Sequence, residues 1–270
     1  PNYEAQFASI RESRVKAMDE TPTKAGQAVP GQLKKACFWP VYGELDEICF
    51  PFFASREIKH VEAALGLNPA ERAVLLSNGY RAYAHYVAGT GITRAPCWAP
   101  TRRGFFEAQT VEPEAALQAL ALIGDLYRVE GTPPEKLSGP RKQDHHLEHA
   151  KPVVERFFAG ASERFAAQGL LPSNPLAKAL AFARDRQGGL DEFLTHPDVP
   201  IDTNDLERAW RAIPMGRRNW LFCCTELGAR HVGILQSLIV TCRPPDINPY
   251  DYLIDVLRAS ANIRPAVFRN

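Results

Sequence analysis

The chain has 270 residues, is 45% hydrophobic and carries a formal net charge of +1. That is apolar enough to bury a core as one large domain or two small ones, and it excludes an intrinsically disordered chain. Near-neutrality excludes a globally basic nucleic-acid binder, so any such binding has to come from local patches.

In chain order, residues 14–18 read as a short strand. Residues 36–42 and 47–54 are aromatic and β-branched, and Gly43-Glu44-Leu45-Asp46 sits between them as a turn, which predicts a hairpin. Residues 56–65 have helical spacing, ended by Gly66 and Pro69. Residues 74–77 are a short apolar strand closed by the turn signal Asn78-Gly79; residues 80–87 predict a helix and 93–98 another strand. From Thr101 the pattern turns helical, with Phe105, Ala108, Leu117, Leu120, Ile123, Leu126 and Tyr127 at helical intervals. After a Pro/Gly-rich break at 131–140, helices are predicted at 147–168, 175–187 and 190–194. Helices at 203–213, 228–241 and 249–259 close the chain, with no internal repeat. Strands first and helices last suit an α/β sheet with an antiparallel beginning and a helical insertion.

The six cysteines are Cys37, Cys49, Cys97, Cys223, Cys224 and Cys242. None forms a C-x-x-C pair, which argues against a zinc ribbon, and scattered cysteines without a signal peptide predict a cytoplasmic protein. The longest apolar run, around 233–240, is too short to span a bilayer. The chain starts at Pro1 without a methionine, so a fragment or processed product lacking N-terminal modules is expected.

The chemistry concentrates in residues 201–222. From Glu207 to Trp220 there are four arginines and one acid. A carboxylate among cations suits a metal ion facing a polyanion, hence phosphodiester chemistry. Two local basic patches are visible, Arg94 with Arg102 and Arg103, and Arg208 with Arg211, Arg217 and Arg218. Asp19 follows the first predicted strand, and position 78 follows the strand at 74–77. Two-metal phosphoryl transfer needs clustered carboxylates holding ions roughly 4 Å apart, and Mg²⁺ favours such hard oxygens.

Plainer readings stand beside these. Asn204 followed by Glu207 is a capping-box spacing, and Glu207 could also pair with Arg211 one turn on. Asp19-Glu20-Thr21-Pro22 reads as a strand-end turn, and Asn78-Gly79 as a turn with asparagine left-handed. Trp98 and Trp220 read as core residues. His145-His146-Leu147-Glu148-His149 contains the H-x-x-E-H zinc-protease pattern, which needs a third ligand such as Glu155 or Glu192. It opens a charged helix after the break, as a solvated helix start does.

Five segments in order carry a family resemblance. Asp19-Glu20-Thr21-Pro22 matches a first acidic motif. Leu76-Ser77-Asn78-Gly79-Tyr80-Arg81-Ala82-Tyr83 matches D-G-Y-x-x-Y apart from its leading residue. The segment 97–105 resembles C-W-A-H-x-R-R-x-F, with Pro100 in place of the histidine. The segment 201–222 resembles I-D-N-N-x-x-E-R-x-x-R followed by G-R-K-N-W-L-F, and 248–253 matches P-Y-x-Y-L. Together they resemble the catalytic domain of the transposases of insertion sequence sixty-six, a DDE group.

The resemblance implies a ribonuclease-H-like mixed sheet flanked by helices. Its core would begin at 1–100, be interrupted by a helical insertion at 101–200 before the last catalytic helix, and be completed by 201–270. It implies metal-dependent DNA cleavage and strand transfer at mobile-element ends, with Asp19, Asn78 and Glu207 as catalytic and metal-binding positions. A two-metal Mg²⁺ or Mn²⁺ site is implied, with Arg102, Arg103, Arg208, Arg211, Arg217 and Arg218 on DNA phosphates. The implied partners are element-end and target DNA, further copies of the chain on DNA, and accessory element-encoded proteins, in a bacterial cytoplasm at the nucleoid. Asn78 stands where the family has aspartate; an amide offers one neutral oxygen and no charge. The alternative is therefore a catalytically inactive DNA-binding or assembly domain derived from a transposase.

Overall fold

The computed structural model describes residues 2–29, 32–131, 137–167, 169–242 and 247–262. The chain divides into two compact units, Pro1–Ala70 with Asp205–Asn270, and Glu71–Asn204. It enters the first unit through α1 (Asn2–Glu12), in which only Ile10 is buried. Strands β1 (Val15–Met18), β2 (Thr21–Val29), β3 (Gln32–Phe38), β4 (Val41–Tyr42), β5 (Ile48–Cys49) and β6 (Phe52–Phe53) follow, then α2 (Lys59–Leu65).

The expected hairpin is present, but each arm breaks in two, at Trp39-Pro40 and at Phe50-Pro51. Proline cannot donate to a ladder, so the strands change partners there. Nearer the turn, β4 pairs antiparallel with β5 (Val41↔Cys49, Tyr42↔Ile48) and with β1 (Ala17↔Tyr42, Met18↔Val41). Beyond the prolines, β3 pairs antiparallel with β6 (Cys37↔Phe53, Phe38↔Phe52) and with β2. Trp39 N–H donates to Pro51 O at 2.9 Å where one ladder gives way to the other. One hairpin thus serves two sheets.

The second unit begins with β7 (Val74–Ser77), α3 (Arg81–Thr90) and β8 (Thr93–Pro96), the two strands pairing parallel from Val74↔Thr93 to Ser77↔Pro96. Gly91, left-handed at φ 71°, ends α3 and turns the chain back into β8. The helical run expected from Thr101 starts earlier, at α4 (Trp98–Ala108), and breaks before α5 (Pro113–Gly131). Next come α6 (Gly139–His145), a π turn (His146–Ala150), α7 (Lys151–Ala166), α8 (Pro175–Arg184) and the short α9 (Gln187–Leu190) and α10 (Glu192–Thr195). The chain then continues as α11 (Asn204–Trp210), α12 (Ala212–Trp220), α13 (Glu226–Thr241) and α14 (Pro249–Asn262). With antiparallel ladders in one unit, a parallel pair in the other and helices around both, the fold is mixed α/β, the class expected. No described helix is long and apolar enough to cross a membrane.

Trp98 organises the helical part of the second unit. It is 1% exposed, meets Phe157 edge-on at 5.3 Å between ring centroids, and donates its indole N–H to Leu190 O at 3.1 Å. Phe105 packs edge-on against the same Phe157 at 5.6 Å. Trp98→Ala would remove the ring and orphan a buried carbonyl. The expected loss is about 3–5 kcal/mol, read as a lower denaturant midpoint at unchanged slope.

In the first unit, α13 lies directly on the backbone at Phe50. Gly233 permits this, since a Cβ there would lie 2.2 Å from Phe50 O. Ser237 Oγ accepts from Phe50 N–H at 2.9 Å and donates to Gly233 O at 2.7 Å. Gly233→Ala has to push helix and strand apart. It is expected to destabilise by about 1–3 kcal/mol, visible as a lower melting temperature, although alanine is the better helix former.

Candidate functional site

Asp19 leaves the end of β1 with its backbone N–H donating to Pro40 O at 3.2 Å, while its Oδ1 accepts from Glu20 N–H at 2.7 Å. Burial pushes its carboxyl up to about 8, against the pull of the Glu20 N–H. The charge and side-chain hydrogen bond of Glu20, and the charge of Glu207, push the same way as burial. Asp19 and Glu207, chosen from motifs 188 positions apart (207 − 19), therefore sit close enough in the first unit to repel. Glu20 is held by Arg56, whose guanidinium donates to Oε1, and of the two neighbouring acids Glu20 weighs more on the Asp19 carboxyl than Glu207 does.

Glu207 is the fourth residue of α11, beyond the capping positions. The Asn204 N–H that a capping box would give to Glu207 goes instead to Asp202 Oδ1, at 2.9 Å. Asp202 also hydrogen-bonds Tyr127, whose hydroxyl is pushed up by burial and then by the Asp202 charge. The residues just before α11 are fastened to the start of α4. Trp98 N–H donates to Ile201 O at 3.0 Å, and the Cys97 thiolic sulfur accepts from Ala99 N–H at 3.3 Å and Thr203 N–H at 3.4 Å. Burial pushes the Cys97 thiol up, so it is a neutral acceptor at this junction. The Cys-Trp motif and the Ile-Asp-Thr-Asn motif are thus two halves of one joint.

Asn78 belongs to the second unit, at the end of β7. Its Oδ1 accepts from Tyr80 N–H at 2.8 Å, an Asx turn that opens α3. The turn reading of Asn78-Gly79 holds in this respect, but Asn78 is not among the residues with positive φ. Arg94 donates its Nε to Ser77 Oγ at 3.2 Å and its Nη2 to Asn78 O. Burial and then the like charge of Arg186 hold the Arg94 guanidinium below its usual range. Pro100 falls in the first turn of α4, where a missing N–H breaks no helical bond.

Of the arginines read as phosphate contacts, Arg102 and Arg103 are exposed on α4, Arg208 on α11 and Arg218 on α12, with Arg211 exposed between the last two helices. The side chains of Arg217 and Trp220 lie outside the described residues. The histidine motif has structural employment. His146 is 1% exposed, its Nδ1 lies 2.9 Å from Phe193 O and its Nε2 2.5 Å from Glu130, while His145 Nε2 lies 3.1 Å from Val129 O. Among the described residues no group of three His, Cys, Asp or Glu side chains is placed to hold a metal.

Sequence reading missed Glu20–Arg56, Arg186 and the opposed lysines Lys24 and Lys35 on β2 and β3. The last pair was hidden because Pro22 and Gly26 disguise β2. It is an edge strand of its sheet, where proline is tolerated, and Gly26 at φ 68° accompanies a register shift between Lys24 and Gln27.

The profile described as "Transposase IS66 family" matches residues 1–231. Three curated proteins of Sinorhizobium fredii are similar. Uncharacterized protein y4qI is 29% identical over 201 residues, 72% of this chain and 37% of that protein. Uncharacterized protein y4hP is 30% identical over 184 residues, 63% of this chain and 33% of that one. Uncharacterized protein y4jD is 27% identical over 214 residues, 76% of this chain and 40% of that one. The chain therefore spans between 33% and 40% of the length of these relatives.

Proposed function

Because the chain belongs to the IS66 family of transposases, we propose that it is the catalytic region of one, cutting DNA at the ends of a mobile element and joining the freed 3′ end to target DNA. The observation that carries this reading is the convergence of Asp19 and Glu207, with the Asp19 carboxyl pushed up to about 8 by burial and by neighbouring acids. Two hard carboxylates close enough for one to act on the other fit a divalent cation, whose charge would offset theirs. When bound, Mg²⁺ or Mn²⁺ activates the attacking oxygen and offsets charge on the leaving oxygen.

The protein's own groups do the rest. Asp19 at the end of β1 and Glu207 on α11 would hold the cation, Asp19 in its deprotonated form. Arg56 keeps Glu20 turned to a fixed partner. Arg208, Arg211 and Arg218 on the exposed faces hold phosphates by charge and read no bases, with Arg102 and Arg103 in the same role on α4.

A second reading has an observation of its own. Asn78 is neutral and its Oδ1 is already engaged by Tyr80 N–H, which favours a derivative that keeps the DNA-binding surface without the chemistry. Titration calorimetry with Mn²⁺ in two buffers of different ionisation enthalpy separates them. The catalytic reading expects binding with proton release at neutral pH, lost in Asp19→Asn and in Glu207→Gln. Binding that both variants retain unchanged would overturn it.

A further inference from the structure

We propose that the groove over β2 and β3 in the first unit is a binding site for an unpaired nucleic-acid strand, a refinement that rests on the reading of the chain as a DNA-processing protein. The groove encloses about 1230 Å³ and is lined by Lys24, Lys35 and Arg218 together with Leu33, Leu221 and Phe222. Among the described residues no carboxylate lines it. Its volume exceeds the roughly 300–1,000 Å³ of a small-ligand pocket. It suits a chain threaded along it better than a compact metabolite.

Three observations point to a polyanion with flat apolar parts. First, Lys24 and Lys35 are direct cross-strand partners, and both are exposed. Like charges placed opposite each other in a ladder destabilise it, so the pair makes sense with an anion between the two ammonium groups. Second, Leu221 and Phe222 are 69% and 40% exposed beside these cations. Apolar and aromatic surface next to lysine and arginine is how bases and phosphates of a single strand are held together, whereas a duplex hides its base faces. Third, the backbone is built to present them. Leu221 has φ 55°, a left-handed conformation uncommon for a residue with a side chain. The segment is clamped to the bulge in β2 by Cys223 N–H donating to Lys24 O at 3.0 Å and Gly26 N–H donating to Cys223 O at 3.3 Å.

The groove also leads to the acids. Arg56 forms part of its wall and pairs with Glu20, the neighbour of Asp19. A strand lying on Lys24, Lys35 and Arg218 is therefore carried toward the carboxylates, with its bases on Phe222 and Leu221.

The test is fluorescence anisotropy of the whole chain with a labelled oligothymidylate and with a duplex of equal length, at two salt concentrations. The single strand is expected to bind more tightly. Lys35→Glu combined with Arg218→Glu should weaken it about tenfold or more and flatten its salt dependence. Phe222→Ala should weaken the single strand about tenfold and leave the duplex unchanged. Lys35→Gln serves as the folding control: by removing the lysine–lysine opposition it should keep or raise the melting temperature while still lowering affinity. Equal affinity for duplex and single strand, or no loss in the charge-reversed and Phe222→Ala proteins, overturns the proposal. Mn²⁺ binding that depends on Asp19 and Glu207, found together with a groove indifferent to these substitutions, would leave the transposase reading standing and the groove assignment refuted. A groove-dependent single-strand affinity without metal binding would support the assignment and refute the catalytic reading.

Discussion

Asp19→Asn is expected to make the protein more stable at pH 8 while abolishing its response to divalent cations. An aspartate in an unfolded chain titrates near 3.9, whereas Asp19 in the folded chain is pushed up to about 8. Between those pH values the folded state keeps a proton that the unfolded state has released, so the contribution of Asp19 to stability falls as pH rises through this window. That is the reverse of a carboxylate held in an ion pair. Below about pH 4 both states are protonated and the group contributes nothing; above about pH 8 the full penalty applies. Asparagine cannot ionise, so the variant should match the parent at pH 4 and melt several degrees higher at pH 8, at roughly 2–4 °C for each kcal/mol in domains of comparable size. Adding Mn²⁺ at about a hundred times its dissociation constant should stabilise the parent by roughly 2.7 kcal/mol and leave the variant unmoved. Nicking of supercoiled DNA should fall by roughly two to four orders of magnitude, the scale on which a catalytic cation stabilises developing charge. A variant that melts below its parent at pH 8 would show that Asp19 is held by favourable partners, not strained by its neighbours.

Position 78 carries the second large effect. On the proposal that position 78 is the family's second metal ligand, Asn78→Asp is expected to fold normally and to raise both metal affinity and nicking, by roughly tenfold and a hundredfold respectively for one added carboxylate worth several kcal/mol in the transition state. Folding should survive because the Tyr80 N–H needs one acceptor oxygen and a carboxylate retains it. The new charge should stay ionised at neutral pH, since Arg94 bonds the residue's own carbonyl and Arg186 Nη2 lies 3.5 Å from where a Cβ on the adjacent Gly79 would be. A folded variant with no gain in either measurement would assign this chain to the inactive class. Pro100, which replaces the motif's histidine, would then be the next position to restore.

What was readable in advance divides by range. The strand at 74–77 was legible because four apolar residues end on Asn-Gly, and the end of α2 because Gly66 stops it. The hairpin turn was legible, but not the exchange of partners at Pro40 and Pro51, which depends on which strands lie alongside. β2 escaped notice because an edge strand can carry Pro22 and Gly26, and α1 because a helix that buries only Ile10 has no apolar stripe to announce it. Asp19 and Glu207 were visible as motif positions. Their mutual repulsion was not, and neither was Arg56 as the partner of Glu20, since such pairings arise between residues far apart in the chain. The Cys97–Thr203 joint spans 106 positions and looked like two unrelated motifs.

The first unit is assembled from both ends of the chain, and this sets the order in which a nascent polypeptide can settle. Ile48 N–H donates to Thr241 Oγ1 across 193 residues, and Gln6 bonds the same hydroxyl. At synthesis rates of roughly 5–20 residues per second, about 10–40 s separate the emergence of these partners from the ribosome. Throughout that interval the strands of the hairpin wait with their α13-facing surface uncovered, while Glu71–Asn204 is free to collapse on its own contacts. A message cut short before α13 would thus release a product with a sound middle and an unfinished, aggregation-prone beginning. The Asp19–Glu207 pair has the same dependence, since its two members emerge 188 residues apart and cannot meet until the whole middle unit has been made.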